Sequence, residues 1–135
     1  MNPNETHDSG MKVRREVLGD DYVDAAVEKT TPFTADFQDF ITRYAWGEVW
    51  TRPGLDRRTR SVVTLTALMA RGHHEELATH VEGALRNGLT EDEIKEVLLQ
   101  GAIYCGVPAA NSAFAVARRV LAGREESRGV GEKRE

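Results

Sequence analysis

The stretch Asn87-Gly88-Leu89-Thr90-Glu91-Asp92-Glu93-Ile94-Lys95-Glu96-Val97-Leu98-Leu99-Gln100-Gly101 decides the fold. Asn-Gly closes one helix, because both residues tolerate the backbone that follows a last helical turn. Thr90 then opens another. Its hydroxyl can accept from the backbone of Glu93 while the Glu93 carboxylate reaches back, a reciprocal capping box. Ile94, Val97, Leu98 and Gly101 follow at i, i+3, i+4 and i+7, one face of an α-helix. A stop, a start and a stripe within fifteen residues predict two consecutive helices.

Upstream, Gly72 and Asn87-Gly88 bracket a helix whose core face is Leu77, Val81, Ala84 and Leu85. Asp56 is a good N-cap for the helix before it, which runs to about Arg71. The interior of that helix, Val62–Ala70, is apolar on nearly every side, so a partner subunit is expected to cover one face. Thr31-Pro32 opens a segment in which Phe33, Phe37, Phe40, Ile41 and Tyr44 recur at helical spacing. Met11–Val27 reads as two short helices broken at Gly19-Asp20, and Trp46–Gly54 as an irregular connection. Downstream, Gly106 and Pro108 punctuate the chain before a last helix, Ala109–Leu121. No segment alternates cleanly, so the fold is expected to be all-α, about six helices in one domain over 11–122. Met1–Gly10 and 123–135 are polar or charged, with little to bury, and are expected to be disordered.

Composition removes several function classes. At 135 residues the chain suits one domain, and helical chains of this size often complete their burial by assembling. A net charge of −4 without a basic patch argues against nucleic acid. The single cysteine, Cys105, excludes an internal disulfide and any Cys-x-x-Cys site. No apolar run approaches the ~20 residues that span a bilayer, and no signal-peptide core is evident, so no membrane partner and a cytoplasmic location are expected.

Three segments hold candidate chemistry. In Gly72–His80, Glu76 and His80 lie one turn apart on the same helical face, and His80 flanks the core stripe. A satisfied core-edge histidine, a metal site from His73, Glu76 and His80, and acid–base work by His80 all remain open. The zinc-protease spacing is not met, since Ala78 stands where the second histidine would be, and no metal is expected. In Tyr44–Leu55, Trp46, Trp50 and Arg52 suit either a hydrophobic plug or a pocket wall with a guanidinium fork for a carboxylate. In Gly101–Pro108, Tyr104 is a core residue or a pocket hydroxyl, and Cys105 a small core residue.

Taken together, these segments resemble the carboxymuconolactone decarboxylase family. The likeness rests on Tyr-x-Trp-Gly-x-x-Trp-x-Arg-x-Gly-Leu at Tyr44–Leu55, Glu-x-x-x-His at Glu76–His80, Asn87-Gly88-Leu89-Thr90 and Tyr104–Pro108. It implies the alkylhydroperoxidase D-like helical fold, where a related helix carries Cys-x-x-Cys-x-x-x-His. This chain has His73 and Glu76 at the cysteine positions and keeps only His80, so disulfide-based peroxide reduction has no chemistry here. The resemblance implies decarboxylation of 4-carboxymuconolactone to 3-oxoadipate enol-lactone, in protocatechuate breakdown by the β-ketoadipate pathway. No cofactor is implied, because the substrate's own ring accepts the electron pair. It further implies His80 as proton donor, Glu48 or Glu76 orienting it, and Arg52, Trp46, Trp50 and Tyr104 around the substrate. A homohexamer, a trimer of dimers, is implied as the assembly. The alternatives are a relative acting on another small acid or lactone, a metal-dependent enzyme, and a non-catalytic oligomeric binding protein.

Overall fold

The computed structural model describes residues 2–134, with the backbone alone described for 128–134. It contains seven α-helices and one π-helix, and no strand among the described residues. The residues pack into two compact units, Met1–Arg60 and Ser61–Glu135, where the sequence reading has a single domain.

In the first unit, α1 spans Pro3–Leu18 and α2 spans Asp20–Glu28, with α3 at Ala35–Ile41 running directly into the π-helix Thr42–Val49. The expected disorder of Met1–Gly10 is corrected: from Pro3 onward these residues are the first half of α1, and Met1 lies outside the described residues. The reason is local. The Asn2 side chain accepts from Glu5 N at 2.9 Å, and Pro3 occupies the first helical turn, where its missing N–H costs nothing. Gly19, at φ 89°, ends α1 in a conformation that favours glycine. Arg15 then bridges the break, reaching Asp20 at 3.1 Å and Asp24 at 2.8 Å on α2. Val13, Val17, Leu18, Val23 and Trp46 form the core of this unit.

In the second unit, α4 (Arg57–Arg71, its first turn belonging to the first unit), α5 (His74–Arg86), α6 (Glu91–Cys105) and α7 (Val107–Arg134) enclose the larger core. Asp56 caps α4, accepting from Thr59 N at 2.7 Å, and that hydrogen bond holds its carboxyl below the usual range. The Thr90–Glu93 capping box starts α6 as read from sequence. Leu65, Met69, Leu77, Val81, Ile94 and Leu98 fill the centre, and Ala110, Ala113 and Ala117 let α7 lie close against them. Within α4 only Ser61, Leu65 and Met69 are fully buried, and Val63 is 58% exposed. The expected disorder of 123–135 is also corrected. Arg, Glu and Lys are good helix formers, and α7 continues through Gly123 as helical backbone to Arg134. Glu135 lies outside the described residues.

Candidate active site

His80 lies in the second turn of α5, half-buried beside the fully buried Leu77, Val81 and Ala84. Burial pushes its pKa down to about 4, against the charge of Glu76 one turn earlier, which pulls the other way. The ring is therefore neutral at pH 7. Glu76, His73 and His74 are exposed, and Arg71 Nε donates to His73 Nε2 at 3.4 Å. His73, Glu76 and His80 do not come together as a metal-holding group. Among the described residues no three or more His, Cys, Asp or Glu side chains do so. Tyr104, on the last turn of α6, is 82% exposed in a row with Ile103 and Val107.

The first unit carries the remaining sequence-predicted residues. The segment read as an irregular connection begins instead as the π-helix, and this corrects that expectation. The π-helix buries Trp46 in the first core while Glu48 stays exposed. Trp50 follows, half-buried, its ring stacked on Trp46 with centroids 5.0 Å apart and planes 21° apart. Trp46 thus belongs to the first core, and Trp50 packs against that core while partly buried. Arg52 is exposed beyond the π-helix, and its carbonyl accepts from Arg60 Nη2 at 2.9 Å.

A groove of about 680 Å³ runs between α6 and α7 over Ile94, Leu98, Phe114 and Leu121, and none of these candidate residues lines it. Arg14 is the residue that spacing gave no reason to single out. It is only 5% exposed, although it is followed directly by a second arginine. The one signal was its place on α1 between the apolar Val13 and Val17, on the stripe that runs through Gly10 to Leu18.

Comparison with known proteins decides what this arrangement belongs to. The sequence profile described as "Carboxymuconolactone decarboxylase family" matches residues 35–119, from α3 into α7. The chain belongs to the carboxymuconolactone decarboxylase family. Within that family it is 47% identical over 121 residues to the 4-carboxymuconolactone decarboxylase of Acinetobacter baylyi, covering 90% of each chain. It is 46% identical over 114 residues to a nitrosuccinic acid decarboxylase of Metarhizium robertsii, covering 84% of this chain and 80% of that one. A 48-residue 4-carboxymuconolactone decarboxylase sequence from Pseudomonas putida is 48% identical over its full length, 36% of this chain. The family match includes the π-helix, Glu76 and His80, while α1 and α2 precede it.

Proposed function

We propose that this protein is a carboxy-lyase that decarboxylates 4-carboxymuconolactone to 3-oxoadipate enol-lactone without a cofactor. The observation that carries the reading is 47% identity to a 4-carboxymuconolactone decarboxylase over 90% of both chains. The chemistry needs little from the protein. When the bond from the ring carbon to its carboxylate breaks, carbon dioxide leaves. The electron pair passes through the ring double bond to the lactone carbonyl, giving a furanolate. A proton then adds to the carbon beside that carbonyl.

A neutral His80 fits this sequence in a specific way. In the free protein it holds no extra proton at pH 7, since its pKa is about 4. A substrate carboxylate beside the ring favours the imidazolium and loads the proton. Loss of that carboxylate as carbon dioxide moves its negative charge onto the furanolate, away from the group that paired with the imidazolium. The imidazolium is then a strong acid at the moment the furanolate needs a proton. Glu76 or Glu48 orients the ring or relays the proton, and Arg52 holds a substrate carboxylate. Trp50 and Tyr104 border the substrate, and Trp46 backs Trp50. The assembly is a hexamer, a trimer of dimers. The apolar side chains Phe33, Phe37, Ile103 and Val107 support assembly, each exposed in the single chain.

A second reading keeps the reaction and changes the acid. The Metarhizium relative is named for nitrosuccinic acid, and a nitro group beside a carboxylate also accepts the electron pair, as a nitronate. Ultraviolet monitoring with enzymatically prepared 4-carboxymuconolactone, with nitrosuccinic acid in parallel, separates the two. Wild type should consume the lactone, and His80→Ala should lose on the order of 10²–10⁴ in turnover. Nitrosuccinic acid consumed in its place changes the substrate. No turnover of either acid above the spontaneous rate favours a binding protein.

A further inference from the structure

A π-helix is a rare winding, usually confined to a single turn, with each N–H reaching back five residues. Here it runs through Thr42–Val49, and the Trp50 N–H closes it on the Ala45 carbonyl at 2.9 Å. Nothing in Thr42-Arg43-Tyr44-Ala45-Trp46-Gly47-Glu48-Val49 favours this winding over an α-helix, so it is held from outside. The element that holds it is α1.

Thr6, Gly10 and Arg14 recur at i, i+4 and i+8, one stripe along α1. Each meets the π-helix at a different point. A side chain added at Gly47 would run into the Thr6 carbonyl oxygen and lie 2.8 Å from the Thr6 methyl group. One added at Gly10 would fall on the Thr42 carbonyl oxygen, 2.8 Å from Gly47 N. In the five-residue pattern those two groups are hydrogen-bond partners, so Gly10 sits directly over a bond that defines the winding. One turn further, Arg14 Nη1 donates to Thr42 Oγ1 and Nη2 to Gln38 Oε1, both at 3.3 Å. Thr42 Oγ1 in turn donates to the Gln38 carbonyl at 2.7 Å, tying the end of α3 into the same contact.

This stripe is expensive. Glycine inside a helix is less favourable than alanine, because it gives up more backbone freedom on folding. A buried guanidinium without a carboxylate is costlier than an apolar side chain of its size. Arg14 Nε has no hydrogen-bond partner among the described residues, and its Nη atoms meet only neutral oxygens. Both costs fall where α1 grips the start of the π-helix.

We infer that Thr6, Gly10 and Arg14 form a clamp that fixes the π winding of Thr42–Val49, and that Gly10 and Arg14 are thereby positioning residues for the decarboxylation. The functional half rests on the reading that Glu48, Trp50 and Arg52 serve the substrate. Rewinding the segment as an α-helix would rotate everything after Gly47 relative to Trp46. With Trp46 anchored in the core, those three side chains would change heading.

Gly10→Ala, Arg14→Met and Thr42→Val in the full chain test this, with Arg14→Lys as the conservative partner. Two signals are read. The Trp46–Trp50 stack is close enough for exciton coupling, a signed circular-dichroism couplet that Trp50→Phe should abolish. Gly10→Ala and Arg14→Met are expected to lose most of it while retaining wild-type helix content. Their kcat on the lactone should fall roughly 10- to 100-fold with KM within about threefold, the pattern of displaced catalytic groups. Arg14→Lys should recover part of both signals, and Arg14→Met with Thr42→Val should cost no more than the worse single change. If Gly10→Ala does not fold, Arg14→Met and Thr42→Val decide. An unchanged couplet in those two variants overturns the clamp, and a lost couplet with unchanged kcat overturns the positioning role. If wild type consumes no lactone, the proposed substrate falls and the couplet alone judges the clamp.

Discussion

Acid should destabilise this protein through one identifiable histidine. In an unfolded chain the His80 ring titrates near 6.5, and in the fold at about 4, because burial disfavours the imidazolium more than Glu76 favours it. Between those values the unfolded chain binds a proton that the folded chain refuses. The contribution is therefore fully present above pH 6.5 and lost as pH falls to about 4. A gap of about 2.5 pH units, at about 1.4 kcal/mol for each, gives about 3.5 kcal/mol for this group. The perturbation is His80→Gln, which keeps a polar side chain that does not titrate. The assay is urea unfolding followed by circular dichroism, from pH about 7.5 to about 4.5, at one protein concentration. Carboxylates titrate alike in both proteins and cancel in the difference. Wild type should lose about 2–3 kcal/mol more than the variant across this range. Parallel curves, within about 0.5 kcal/mol, would refute the assignment of a depressed pKa to His80.

Three further outcomes follow from packing and caps. Leu77 is fully buried in the larger core, so Leu77→Ala should destabilise by about 3 kcal/mol in the same urea measurement. Thr90→Ala removes the capping-box hydrogen bond that its hydroxyl accepts from Glu93 N at 3.1 Å, while the Thr90 N–H can still donate to Glu93 Oε1, and it should cost about 1 kcal/mol and several degrees of Tm by calorimetry. Light scattering at micromolar concentration should give a multiple of the 15.0 kDa chain mass, and a monomeric mass would count against the proposed hexamer.

The parts of the fold that were legible are those written in the chain's own local chemistry. Thr90 with Glu93, Asp56 before α4 and Gly19 between α1 and α2 all act on neighbours within a few residues, and each appears where the sequence implied it. The start of α1 was also legible in principle. Asn2-Pro3 followed by Glu5 is a cap, a first-turn proline and an acidic first turn. Polar composition hid it, because what α1 buries there is Thr6 and Gly10, not an apolar stripe. The π-helix was not legible at all. No residue preference marks it, and what holds it lies on another helix. His80 was visible as a candidate from its spacing beside the core face, but its low pKa depends on how deeply that face is buried. Arg14 was hidden for a related reason: its hydrogen-bond partners, Gln38 and Thr42, lie 24 and 28 positions away.

That separation also orders the birth of the molecule. Synthesis proceeds from the N-terminus, so α1 leaves the ribosome well before Thr42 and Gly47 exist to receive it. Its own hydrogen bonds can form at once and Val23 of α2 follows soon, but Trp46 and the Gln38 and Thr42 partners of the Arg14 guanidinium come later. The helices of the second unit follow one another closely along the chain and can collapse on their nearest neighbours, the arrangement that favours rapid folding. Helix α1 thus depends on a long-range closure by chain made after it, and for that interval it offers a partly covered apolar stripe to chaperones or to other nascent chains.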